Sequence, residues 1–94
     1  MNIIKLKFEP TATRATGSMY GYATYNDQIK PKIKEDEKNV IVFPDNIKAI
    51  GISFVRGMMT DEVTKYGKQG VLEHFDFKSN NENLVGKIIK SINF

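Results

Sequence analysis

The short apolar run "NVIVF" at residues 39–43 is the feature that most restricts how this chain can fold. Its residues are mainly β-branched or aromatic, and after the first Asn the run has no polar side. That pattern is typical of a strand that is covered on both faces, as in a parallel sheet with helices packed on it. The run therefore predicts an α/β protein.

Three further segments carry strand patterns. Residues 2–8, "NIIKLKF", alternate apolar side chains with Lys5 and Lys7, which predicts a half-buried strand. The segment "GVLEHFDF" alternates again and predicts a strand over residues 71–77. The stretch "IKAIGI" predicts a short strand over residues 47–52.

Three segments carry apolar residues at helical spacing. We predict helices over residues 18–35, 53–66 and 81–92. Pro31 is expected to kink or end the first helix, and Gly67 to end the second in a left-handed conformation. The residues expected to face the core are Met19, Tyr22, Asn26, Ile29 and Ile33 in the first helix, Phe54, Val55, Met58, Met59, Val63 and Tyr66 in the second, and Leu84, Val85, Ile88, Ile89 and Ile92 in the third.

Strands and helices thus alternate along the whole chain. A length of 94 residues allows one domain. Alternation of this kind favours a largely parallel sheet with helices packed against it. The predicted fold is a single α/β domain with a small mixed or parallel four-stranded sheet and three helices.

The residue types available argue against the standard hydrolase and His/Cys metal sites. The chain has no cysteine, and His74 is its only histidine. A Ser-His-Asp triad would need that one histidine, which the pattern places inside a strand, and a Cys-His pair or thiolate metal site cannot form. The adjacent acids Asp61 and Glu62 are interpreted as part of a solvated helix face. We therefore expect no enzyme activity, no metal and no cofactor.

The charge pattern and the absence of long apolar segments bear on location. The net charge is +3, with lysines mixed among acidic residues as on an ordinary solvated surface. No segment reaches the 18 to 20 apolar residues, roughly, that a membrane span requires. The first ten residues carry alternating charges and do not form the apolar block of a signal peptide. We expect a cytoplasmic protein.

A nucleic-acid-associated protein is the alternative function. Tyr20, Tyr22 and Tyr25 lie near Arg14 in sequence, and three lysines follow at positions 30, 32 and 34. Tyrosines can stack on bases while cations bind phosphates. Tyrosines at this spacing are more often packing residues with hydrated hydroxyls, and no known nucleic-acid-binding motif accompanies them.

The serine in "AIGISF" is the leading candidate for a functional residue. Ser53 follows an apolar segment and opens the second helix, so its first role is that of an N-cap. A phosphate on Ser53 would be well placed at the positive end of that helix. It would add about −1.5 to −2 charges beside the apolar residues Ile52, Phe54 and Val55, and so repel a partner bound there.

The segment "VIVFPDNIKAIGISFVRGMMTDEVTKYG" resembles the core of the STAS-like domain family, which is related in pattern to the STAS domains of anti-sigma-factor antagonists of bacteria. The shared features are a "VIVF" strand, an Asp or Asn turn, a second short apolar stretch, and a Ser-Phe pair opening an amphipathic helix. The likeness extends over most of the chain from about residue 16 onward. It implies a regulatory module without enzyme activity that switches between protein partners.

The same resemblance implies the site and the kind of partner. Binding would involve Gly51 to Arg56, with Ser53 as the phosphoacceptor and Arg56 available to pair with an acidic group. The partner would be a histidine-kinase-like ATPase or another regulator. Independently of the resemblance, the exposed edge strand at the N-terminus leaves both a monomer and a weak homodimer open. The antagonists usually have an acidic residue before the phosphorylated position and a glycine after it, whereas Ser53 stands between Ile52 and Phe54. A binding module with no switching is the remaining alternative.

Overall fold

A computed structural model describes residues 1–93. Three parallel strands form its main sheet, in the order β1-β3-β5. The central strand is the "NVIV" segment, in which Val40 and Ile41 have no solvent exposure, as the sequence predicts. Along the chain the elements are β1 (Asn2–Lys5), β2 (Arg14–Ala15), α1 (Ser18–Thr24), β3 (Asn39–Val42), β4 (Ala49–Ile50), α2 (Ile52–His74), β5 (Phe75–Lys78) and α3 (Glu82–Asn93).

The prediction of one four-stranded sheet is wrong. β4 does not join the main sheet and pairs in parallel with β2, a strand that the sequence pattern did not indicate. Each of these strands has only two residues, with Arg14 opposite Ala49 and Ala15 opposite Ile50. A pair this short leaves no periodicity to read, so only the tertiary structure reveals it. The outcome is still a mixed α/β domain with three helices and mostly parallel strands.

The boundary between α2 and β5 also differs from the prediction. Residues 71–74 are helical, and the strand begins only at Phe75. Gly67, with a φ of 77°, divides α2 where the sequence predicts the end of a helix, but a second helical segment follows it. Val71 is buried in that segment. A single buried apolar residue is compatible with a helix as well as with a strand, so the short pattern did not distinguish the two.

The first helical region buries Ile29 as predicted and packs Ile33 against the core, but its start buries a different face from the one predicted. Met19 and Tyr22 are 86% and 44% exposed, and the buried residues are Gly21 and Thr24. After α1 the chain continues as a π-helix (Tyr25–Ile29) and a 3₁₀ turn (Lys30–Lys32), whose Pro31 marks the predicted end of the helical region. Tyr25 and Ile29 are buried there, which continues the face that Gly21 begins.

Two glycines explain this choice of face. A Cβ built on Gly21 would overlap the carbonyl oxygen of Phe54, and one built on Gly57 would overlap that of Ser18. The backbones of α1 and α2 therefore touch directly, at a distance only glycine permits. This contact orients α1 and turns Met19 and Tyr22 toward solvent.

The third helix follows its predicted stripe closely. Leu84, Ile88 and Ile92 are buried in the core, whereas Ile89 is 38% exposed. Among the described residues, no helix has both the length and the hydropathy needed to cross a membrane.

Candidate functional site

The starts of α1 and α2 lie at the same edge of the β2–β4 pair. Because the two strands are parallel, their carboxyl ends are adjacent, and a helix follows each of them within three residues. The N–H of Gly51 donates to the carbonyl of Ala15 over 2.8 Å, which fixes the start of α2 beside β2. In α/β proteins, ligands commonly bind at the carboxyl ends of parallel strands.

Ser53 lies in the first turn of α2, but it is not the N-cap that the sequence predicts. The cap position belongs to Gly51, and no side-chain hydrogen bond caps the helix. The first helical hydrogen bond of this turn runs from the N–H of Val55 to the carbonyl of Gly51. The N–H groups of Ile52, Ser53 and Phe54 precede it and have no partner within the helix. Ser53 is thus an exposed hydroxyl in a turn whose first N–H groups have no partner within the helix.

The predicted partner-binding residues divide between the surface and the core. Ile52 is 44% exposed and Arg56 is also exposed. Phe54 and Val55 have no exposed surface, so the expectation that they form an apolar rim around Ser53 is wrong. They face inward because α2 must cover the sheet, and every such helix has one side buried.

Apart from Ile52, the exposed apolar side chains considered for partner binding therefore come from α1 and not from Phe54 and Val55. Met19 and Tyr22 line a groove of about 510 Å³ whose other wall includes Gly57 and Thr60 of α2. The exposed residues near the starts of the two helices are Met19, Tyr22, Ile52, Ser53 and Arg56, and we refer to this set as the docking face. It combines apolar and polar groups across the starts of two helices, a composition suited to contact with another protein.

Sequence reasoning missed Met19 and Tyr22 as surface residues, although a signal for them was present. Gly21, Tyr25 and Ile29 recur at a spacing of four and mark the face that is buried in the structure. The predicted stripe used larger apolar residues at spacings of three and four. Gly21 has no side chain and so gave no apolar signal, although its backbone contacts α2 directly.

The tyrosines do not form one exposed cluster. Tyr20 is 43% exposed and packs edge-on against Phe54, with ring centroids 5.3 Å apart. Tyr25 is buried and donates its hydroxyl proton to Glu62, which is 6% exposed. Glu62 therefore does not belong to a solvated face, contrary to the prediction. Only two of the three tyrosines remain accessible for stacking on bases.

Burial is the main cause of the raised pKa of the Tyr25 hydroxyl. Removal from water, followed by the hydrogen bond to Glu62 and its negative charge, raises the pKa of the Tyr25 hydroxyl well above its usual range. The hydroxyl keeps its proton at any physiological pH. The pair thus links α2 to the π-helix that follows α1 as a fixed hydrogen bond.

The remaining groups of interest are the histidine and the acidic side chains that could hold a metal ion. His74 lies at the end of α2, not inside a strand as predicted, and its ring is 4.5 Å from that of Tyr66. Within the described chain no cluster of three or more His, Asp or Glu side chains is arranged to hold a metal ion.

Comparison with models of protein families, with curated proteins and with solved structures gives no match for this chain. The likeness to STAS-like domains consequently remains a hypothesis from sequence pattern.

Proposed function

We propose that the protein is a non-enzymatic regulatory module of the STAS-like type, which binds a protein partner through the docking face and is controlled by phosphorylation of Ser53. The observation that carries the proposal is the position of Ser53. Its exposed hydroxyl lies in the first turn of the longest helix, directly after the exposed side chain of Ile52, and α1 begins at the same edge of the β2–β4 pair.

Phosphorylation at this position would change binding without disturbing the fold. The first turn of α2 contains no acidic residue, and its N–H donors favour negative charge. A phosphate would add about −1.5 to −2 charges beside Ile52, which a partner would otherwise cover. Arg56, one turn further along the helix, is a candidate to contact either the phosphate or an acidic group of the partner. By resemblance, the partner is a histidine-kinase-like ATPase or another regulator in the cytoplasm.

Affinity capture from the native host tests the proposal with three baits: the unmodified protein, Ser53→Glu and Gln69→Glu. The third adds the same charge at an exposed position roughly four turns further along α2. We expect the unmodified protein and Gln69→Glu to retain a common partner that Ser53→Glu loses. Mass spectrometry of the native protein should show phosphate on Ser53.

Stability measurements separate lost binding from lost folding. Glu in the first helical turn should leave the free energy of unfolding unchanged or raise it by about 0.3–1 kcal/mol. If all three baits retain the same partner, the protein binds that partner constitutively, and control by phosphorylation of Ser53 is wrong. Recovery of nucleic acid alone, released by added salt, would favour the nucleic-acid function instead.

A further inference from the structure

The seam between the start of α2 and α3 forms a second groove beside Ser53. It has a volume of about 550 Å³, with Ile52 on the α2 side and Gly86, Lys87, Lys90 and Ser91 on the α3 side. A Cβ built on Gly86 would meet no atom within 4 Å, so this glycine faces open space. The groove thus has an apolar wall at Ile52 and an unobstructed floor at Gly86.

The charge of this groove is predominantly positive. Lys87 and Lys90 are exposed, and neither takes part in an ion pair among residues 1–93. Glu82, in the first turn of α3, is the one acidic residue of the lining. The first N–H groups of α2, which have no partner within the helix, add partial positive charge near Ile52.

The same seam continues along α2 into a groove of about 400 Å³. Ser91 lines both grooves, and the second one also includes Arg56 and Lys68. Those two cations have interactions of their own, so the argument rests on Lys87 and Lys90.

We propose that this groove receives an acidic segment of the protein partner, with an apolar side chain against Ile52 and Gly86 and carboxylates near Lys87 and Lys90. Opposite charge across an interface favours association and selects the correct partner. The inference rests on the proposed function and adds the chemistry of the partner. It also explains the direction of the switch, because a phosphate on Ser53 would offset the positive charge that attracts the carboxylates.

Selection from a library of random 12-residue displayed peptides, with the unmodified protein as target, tests this inference. We expect the selected peptides to be rich in Asp and Glu around one or two apolar residues. Synthetic copies are then titrated by fluorescence anisotropy against Lys87→Gln, Lys90→Gln and Gly86→Gln. Each lysine variant should weaken binding by about two- to fivefold, the range for an exposed ion pair. Gly86→Gln should abolish binding by filling the groove.

Matched controls distinguish the groove from general positive charge. Lys30→Gln and Lys32→Gln remove exposed cations from the 3₁₀ turn after α1 and should leave the affinity unchanged. Gly86→Gln should unfold at a higher temperature than the unmodified protein, since Gln favours a helix more than Gly does. Loss of binding by this variant therefore cannot come from unfolding.

Several results would overturn the inference. These are selection of neutral or basic peptides, failure to select any peptide, or acidic peptides whose affinity is unaffected by the groove variants. Self-association in sedimentation that Gly86→Gln removes would assign the groove to a second copy of the chain. If the captured partner is lost with Ser53→Glu but kept with all the groove variants, the proposed function stands and only the acidic groove is wrong.

Discussion

The two seams on either side of α2 use glycine in opposite ways. Toward α1, Gly21 and Gly57 allow backbone contact and leave no room for a Cβ. Toward α3, Gly86 faces empty space and leaves a groove open. The same residue type thus closes one seam and opens the other. A helical glycine leaves space where a side chain would be. The neighbouring element determines whether that space is filled by its backbone, as at Gly21 and Gly57, or stays open as a groove, as at Gly86.

The largest effect is expected from breaking the closed seam. In Gly57→Ala the new methyl group would overlap the backbone carbonyl of Ser18, which cannot move away as a flexible side chain could. We expect the free energy of unfolding in urea to fall by about 3 kcal/mol or more, at the upper end for overpacked cores. An unchanged urea midpoint would show that α1 and α2 are not in backbone contact.

The hydrogen bond from Tyr25 to Glu62 belongs to the same side of α2 and gives the next largest effect. Tyr25→Phe removes the donor and leaves a buried carboxylate without it. We expect a loss of about 1.5–3 kcal/mol in the free energy of unfolding, as for a hydrogen bond to a charged group. Glu62→Gln keeps an acceptor for the tyrosine and should cost less. Equal costs for the two variants would contradict a charge-assisted bond.

The same pair predicts how stability depends on alkaline pH. The folded state raises the pKa of Tyr25, mainly by burial, so above pH 10, roughly, the unfolded chain loses a proton that the folded protein keeps. This contribution to stability is complete below that pH and should fall by up to about 1.4 kcal/mol per pH unit above it. Urea titrations from pH 8 to about 11 should show the extra slope in the unmodified protein and a shallower slope in Tyr25→Phe.

The open seam predicts the smallest change, of opposite sign. Gly86→Ala adds a methyl group where there is no neighbour within 4 Å. Replacing a glycine inside an exposed helix should raise the free energy of unfolding by about 0.5–1 kcal/mol. This variant is the direct counterpart of Gly57→Ala, and destabilisation by both substitutions would remove the distinction between the two seams.

The sequence by itself determined those elements that have a strong, regular pattern. The buried run at residues 39–43 became the central strand, and the stripe of Leu84, Ile88 and Ile92 became the inner face of α3. These predictions were correct because local periodicity and burial gave the same answer.

The tertiary structure alone decided which surfaces meet and which remain free. It exposed Met19 and Tyr22, and made Gly51 the cap of α2 in place of Ser53. It also joined β2 to β4 and gave buried Glu62 its tyrosine partner. Each of these depends on the distance between segments far apart in the chain, which hydrophobic periodicity does not encode. The sequence therefore identified Ser53 as the centre of the candidate site. Which other residues are exposed around it was decided by the packing of the three helices.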